Sequence, residues 1–367
     1  MKIGILTLHS GANYGGTLQC IALYNILKEK GHDVDVIDFK PQLTCSFFKR
    51  LLYNFLSIRS FNDLYGMFRH KSDKSNKVLN KALYYIFETY RNNLLSFSEL
   101  CDELSISNAM KSYDVIIVGS DQVWSSTVRT HLSYMGDWQP PFIGRLYSYA
   151  ACATTTKYPI VRKRKIKNLL NKFCIISVRD ECSCNFVRQF IQKDNVRIDL
   201  DPTLLYSFDG MLPSEAQSEK FILVYVLGQE IPGGNKVAID KIKQVVNENV
   251  KVVALTVYDE DVSYADQTIK TASPTEWMWY IKNALFVFTD SFHGEVFSIK
   301  FDKDFYVYYV EKNRASRIIS LSHLFHVEDR MVTHIKDING EFKKNIDKKD
   351  FESVKASSLS YLNEITK

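Results

Sequence analysis

Residues 286–299 read FVFTDSFHGEVFSI. A short apolar strand runs into a polar turn at Thr289, Asp290 and Ser291, and a helix opens near His293 and Gly294. At a helix start the backbone N–H groups are unpaired and the macrodipole favours negative charge, so this stretch has the makings of an anion site. A histidine placed there can also donate a hydrogen bond or a proton near neutral pH. The alternative is that His293 merely helps to cap its helix. Asp121, in Gly119-Ser120-Asp121-Gln122-Val123-Trp124, follows another apolar run. It can serve as a general acid or base, or simply as a cap. Arg179, in Ser177-Val178-Arg179-Asp180, stands before a helix start and could hold a carboxylate or phosphate with two hydrogen bonds. Arg314 and Arg317, three residues apart, share a helix face and form a further anion candidate, or else a solvated charged turn.

The elements that must position these residues are α/β in pattern. Residues 2–8 form a β-rich run that ends in a loop with Ser10, Gly11, Gly15 and Gly16. A helical period follows through Leu18, Ile21, Ala22, Ile26 and Leu27, closed by Gly31, and residues 34–39 give a second strand. That is a βαβ unit and implies a parallel sheet, whose ligand edge lies at the carboxyl ends of its strands. The loop at residues 9–16 occupies that edge but carries neither the G-x-G-x-x-G spacing nor a P-loop lysine. Further strands are expected at 113–118, 145–153 and 174–177, with Asp180 as an N-cap. Residues 207–220 read as a linker, and a second α/β half follows, with strands at 221–227, 251–257, 285–288 and 305–310. Ser273-Pro274-Thr275-Glu276 is a capping box with proline at the first helical position, and residues 347–365 are expected to be helical.

Between 45 and 97 the chain turns helical, aromatic and basic, with nine Lys or Arg against three acidic residues. Such a stretch either packs as an insertion or lies on an anionic membrane surface. The net charge of +5 over 367 residues is too mild to argue for nucleic acid. Seven scattered cysteines fit neither a zinc site nor a disulfide framework and suit reduced thiols in a cytoplasmic setting. The N-terminus reads as a first strand rather than a signal peptide, and no apolar run reaches membrane-spanning length.

Taken in order, Asn13-Tyr14-Gly15 with Leu18-Gln19, the Gly119–Trp124 cluster, Ser177-Val178-Arg179-Asp180, Asp201-Pro202-Thr203, Thr289-Asp290-Ser291-Phe292-His293-Gly294, and Arg314 with Arg317 resemble the polysaccharide pyruvyl transferase family over nearly the whole chain. The resemblance implies two Rossmann-like domains facing a cleft in a GT-B-like arrangement. The first would span 1–206 on the acceptor side, with the helical insertion at about 45–97. The second would span 207–340 on the donor side, and residues 341–367 would pack back on the first. It implies transfer of the pyruvyl group of phosphoenolpyruvate to a sugar of a cell-surface polysaccharide, such as a capsule or exopolysaccharide, or of its lipid-linked precursor. A pyruvate ketal forms, phosphate leaves, and no metal or organic cofactor takes part.

In the site so implied, His293 and Asp121 are catalytic, and Arg179, Ser291, Gly294, Arg314 and Arg317 bind the donor. Asn13, Tyr14, Gly15 and Trp124 contact the acceptor. This chain has Ser291 where some members carry an arginine two residues before the histidine, so Arg179, Arg314 or Arg317 must take over that charge. A nucleotide-sugar glycosyltransferase of the same fold and a non-catalytic envelope-assembly partner are the alternatives. The expected setting is the cytoplasm, with peripheral contact at the inner membrane face if residues 45–97 lie on lipid and do not pack as an insertion.

Overall fold

The computed structural model describes residues 1–40, 74–125, 132–153, 163–192, 196–213, 219–246, 250–310, 312–343 and 345–367, with the backbone alone for 74–80 and 312–314. The first half is built on β1 (Lys2–Leu6), α1 (Tyr14–Glu29) and β2 (Asp33–Val36), then α2 (Lys74–Leu94), α3 (Ile106–Met110) and β3 (Val115–Val118). It continues with β4 (Arg145–Ser148), α4 (Lys163–Leu170), β5 (Ile176–Val178), α5 (Glu181–Arg188), β6 (Val196–Ile198) and α6 (Pro202–Leu205). Its strands lie in the order β2-β1-β3-β4, all parallel. Bridges from Asp121 to Ala151 and from Ala151 to Val178 carry the sheet on to the parallel pair β5-β6.

The second half comprises β7 (Phe221–Tyr225), α7 (Asn235–Val246), β8 (Lys251–Leu255), β9 (Gln267–Ile269), α8 (Pro274–Asn283) and β10 (Phe286–Thr289). After them come α9 (Phe292–Lys300), β11 (Asp304–Tyr308), α10 (Lys312–Leu324) and β12 (Met331–Val332). Its six parallel strands run β12-β11-β10-β7-β8-β9. Numbered within this half, that is the order 3-2-1-4-5-6 read from the other edge, the doubly wound arrangement of Rossmann folds. The central strands VIIV of β3, FILVY of β7 and FVFT of β10 are buried along their whole length, as strands covered on both faces must be. Crevices form where the strand order reverses, between β1 and β3 in the first sheet and between β7 and β10 in the second.

One continuous apolar core joins the halves through the start of α1. The Tyr14 ring stacks on Trp277 at 5.3 Å between centroids, and its hydroxyl donates to the Ala272 carbonyl at 2.7 Å. Helix α1 therefore belongs to the first sheet by connection and to both halves by packing. The final helix, α11 (Lys349–Ile365), lies against the first half. There Tyr361 Oη donates to the Ser148 carbonyl at 2.8 Å, Ser358 Oγ accepts from the Leu200 N–H at 3.1 Å, and the Arg197 guanidinium lies 4.5 Å from the Tyr361 ring centroid.

Of the basic aromatic stretch, residues 45–73 lie outside the described residues. In the part that is described, Leu83 and Phe87 are buried, Phe87 packs on Tyr14 at 4.9 Å, and Tyr85 stays exposed. Among the described residues no helix is long and apolar enough to cross a membrane.

Candidate active site

The stretch around His293 is fixed by its own short polar side chains. Thr289 Oγ1 donates to the Tyr225 carbonyl at 2.6 Å and accepts from the Ser291 N–H at 3.1 Å. Asp290 Oδ1 accepts from the Leu227 N–H at 2.7 Å, tying β10 to the end of β7. Ser291 is the N-cap of α9, its hydroxyl accepting from the Gly294 N–H at 3.3 Å. A Cβ at Gly294 would sit 2.4 Å from Thr289 Oγ1, so only glycine lets α9 start this close to the strand. Ser291 and Gly294 thus hold the helix start in place, and His293 projects from it.

His293 meets the other half of the molecule at α1. A Cβ on Gly15 would lie 1.9 Å from His293 Nδ1, so glycine at this position allows the ring its approach. Asn13 caps α1, its Oδ1 accepting from the Gly16 N–H at 3.0 Å. Gln19 donates to the Gly16 carbonyl at 2.9 Å and to Thr7 Oγ1 at 3.1 Å, and Thr7 in turn donates to the Ser120 carbonyl at 3.0 Å. That chain fixes the turn carrying Asp121, whose φ of 65° is a left-handed conformation that aspartate tolerates better than most residues.

On the other face of His293 stands Asp201, buried to 1% exposure. Its Oδ2 lies 3.6 Å from His293 Nε2, within ion-pair range but long for a hydrogen bond. The same oxygen accepts from Arg179 Nη1 at 2.6 Å, while Oδ1 caps α6 through the Thr203 N–H and hydroxyl, at 3.0 and 2.6 Å. Burial favours the neutral acid, but His293, Arg179 and Thr203 outweigh it and hold the Asp201 carboxyl well below the usual carboxylate range. Arg179 Nη2 reaches Asp121 Oδ1 at 3.3 Å. Burial works against the Arg179 charge, and the neighbouring Cys152, Asp201 and Asp121 more than offset it. Arg179 therefore links the two carboxylates.

Arg317, on α10, supplies a cation of another kind. With its amide oxygen turned toward α10, Gln122 accepts from Arg317 Nη1 and Nη2 at 2.8 and 3.0 Å. Among the described residues no carboxylate lies within ion-pair distance of Arg317, and burial pulls the affinity of its guanidinium for its proton down. Phe292 lies between the two arginines, its ring centroid 4.8 Å from Arg179 Cζ and 5.6 Å from Arg317 Cζ. The side chain of Arg314 is outside the described residues.

Asp121, Arg179, Asp201, His293 and Arg317 thus converge at the carboxyl ends of both sheets, with Asn13 and Gly15 beside them. Two expected acceptor contacts are placed differently. Trp124 is a core residue with no exposed surface; its Nε1 donates to the Tyr134 carbonyl at 2.9 Å and its ring meets Phe173 edge-on. Tyr14 is buried between the halves, as described. Sequence reading missed Asp201, Gln122 and Phe292. In the sequence, Asp201-Pro202-Thr203 contributes only to the family resemblance, which gives Asp201 itself no role. Glu276 is held in its capping box, as its spacing predicted, accepting from the Ser273 N–H at 2.7 Å. Among the described residues no cluster of three His, Cys, Asp or Glu side chains is arranged to hold a metal ion.

Residues 13–312 match the polysaccharide pyruvyl transferase family. This chain belongs to that family. The matched span takes in every residue of the convergent cluster except Arg317, which lies just beyond it. No curated protein matches the chain in sequence. Among solved structures, the UDP-GlcNAc 2-epimerase of Neisseria meningitidis, bound to UDP-GlcNAc, is similar with a TM-score of 0.51 at 11% identity, covering 100% of both chains. The UDP-GlcNAc 2-epimerase of Methanocaldococcus jannaschii gives 0.50 at 11% identity, covering 100% of this chain and 99% of that one. At such identities the likeness is one of fold: two Rossmann-like halves in a GT-B-like arrangement.

Proposed function

We propose that this family member transfers the pyruvyl group of phosphoenolpyruvate to a sugar of a cell-surface polysaccharide or its lipid-linked precursor, forming a pyruvate ketal and releasing phosphate. The observation that carries the reading is the convergence of His293 and Arg317 from one half with Asp121, Arg179 and Asp201 from the other. Phosphoenolpyruvate is small and multiply anionic, and it calls for a buried cation and a helix start. Arg317, which among the described residues is paired with a neutral amide and lies 5.6 Å from the Phe292 ring, meets the first need, and the start of α9 at His293 meets the second. On this reading Arg317 takes over the charge of the arginine that Ser291 replaces.

The reaction requires a proton at C3 of the donor, bonds from two sugar hydroxyls to C2, and departure of phosphate from C2. On this reading His293 delivers the proton, with the Asp201 carboxylate, held well below the usual carboxylate range, 3.6 Å from its Nε2. Asp121 is the base for the attacking hydroxyl, and Arg179 sets the spacing of the two carboxylates. Asn13 and Gly15 line the approach from the acceptor side. For a lipid-linked acceptor, residues 45–97 would hold the enzyme at the cytoplasmic membrane surface.

A donor screen tests the reading. Phosphate release from phosphoenolpyruvate in the presence of synthetic or lipid-linked glycosides, with a ketal product, supports it. Turnover of a nucleotide sugar, or of neither donor, would contradict it.

A further inference from the structure

A cavity of about 180 Å³ opens at the carboxyl ends of β1 and β2, lined by His9, Asp38, Lys40, Glu88, Arg91 and Phe97. It is separate from the convergent cluster, but Arg91 connects the two: its Nη1 donates to the Gly11 carbonyl at 2.8 Å and lies 3.4 Å from Thr17 Oγ1, so it braces the loop that brings Gly15 to His293. Its volume is well below the ~300–1,000 Å³ of drug-sized sites, which suits one ring-sized unit and not a nucleotide.

The charges of the lining are arranged unusually. Asp38 is neutralised in place, with His9 Nε2 at 3.0 Å and Lys40 Nζ at 3.6 Å. Glu88 and Arg91 are not: among the described residues neither has an ion-pair partner, although they lie three residues apart on α2. Arg91 is almost wholly buried, with its charge facing neutral oxygens. An anionic ligand would be opposed by Glu88 and a cationic one by Arg91. A polyhydroxylated neutral ring suits both, because each hydroxyl can donate to a carboxylate and accept from a guanidinium, ammonium or amide. Asn92 adds such an amide, and Phe97, whose ring packs against His9 at 5.5 Å between centroids and tilted by 47°, adds an apolar wall for a ring face.

We propose that this cavity is a subsite for one uncharged sugar ring of the acceptor. The inference rests on the transferase reading, to which it adds the class of unit recognised and its place in the fold.

The test is saturation-transfer NMR on the full-length chain with methyl glycosides of neutral hexoses and N-acetylhexosamines. The Glu88→Ala and Asn92→Ala variants are compared with the wild type, and thermal melts confirm that each is folded. At least one glycoside should show saturation transfer, reduced about fivefold or more in each variant and unaffected by millimolar inorganic phosphate. The proposal is overturned if no glycoside binds, if the signal survives in both variants, or if phosphate displaces it, which would mark an anion site. Phosphoenolpyruvate binding to the wild type, measured separately, isolates the donor reading. Donor binding without glycoside binding rejects the subsite alone, and absence of donor binding rejects the transferase reading.

Discussion

A methyl group at position 15 would sit 1.9 Å from the ring nitrogen of His293, although the backbone there is helical and would otherwise welcome alanine. Gly15→Ala therefore sets local helix preference against the approach of a single side chain from the other half. Overpacking of this kind costs ~1–3 kcal/mol, while an ångström of misplacement at a reacting group can cost about a hundredfold in rate. The variant should keep its fold, with a modest loss in a thermal melt, and lose about a hundredfold in kcat/KM. Two residues after His293, Glu295 is wholly buried, with Oε1 accepting from Ser322 Oγ at 2.7 Å. Burial raises its carboxyl well above the ordinary value, only partly countered by Ser322. The folded state then keeps a proton that the unfolded chain has already released, so the stability contributed by this acid is full below about pH 4.3 and falls as the pH rises toward the folded value. Glu295→Gln removes that slope. Urea denaturation at pH 5 and 7.5 should show the variant gaining on the wild type by up to ~1.4 kcal/mol per pH unit. That His293, Asp121 and Arg179 would stand together was legible in the sequence, because each follows an apolar run at a helix or turn start. The resemblance put Trp124 at the acceptor, but its ring lies in the core, because the residue follows β3 closely and turns back toward Tyr134 and Phe173.

At the scale of elements, the site depends on helix starts. Asp201 both caps α6 and faces His293, and these two duties can be separated. Asparagine caps about as well as aspartate, so Asp201→Asn should keep α6 capped while removing the charge from His293 and from the buried Arg179, and losing one partner of that buried pair should cost ~3–5 kcal/mol in a melt. Its kcat should fall more than tenfold with a smaller change in the donor KM. Helix α10 brings Arg317 to Phe292 and Gln122, and the loss of one charge-assisted contact, ~1.5–3 kcal/mol, should weaken phosphoenolpyruvate binding about tenfold or more in Arg317→Ala, as read by calorimetry. The caps at Asp180 and Ser273 were readable in advance because their side-chain spacing is local. Element ends were less so: strand pairing and not composition decides where β2 stops at Val36 or where β4 gives way to the bridge at Ala151.

At the scale of the molecule, the two parallel sheets are joined by the shared core around Tyr14, Trp277 and Phe297. The alternation of strands and helices made the sheets legible. The role of Tyr14 was not, because Ala272 and Trp277 lie some 260 residues away in sequence and no local pattern records them. Tyr14→Phe keeps the stack and loses only the bond to Ala272, so it should cost about 1 kcal/mol, whereas Tyr14→Ala should cost ~3–5 kcal/mol and loosen one half against the other.

The account rests on chemistry shared between the halves, so the most direct measurement is steady-state phosphate release from phosphoenolpyruvate with a glycoside acceptor, for wild type, His293→Ala and Asp121→Asn, beside their thermal melts. The account predicts acceptor-dependent phosphate release by the wild type, with kcat/KM reduced at least about a hundredfold in each variant and little change in melting temperature. Near-wild-type kcat/KM in both variants would contradict it.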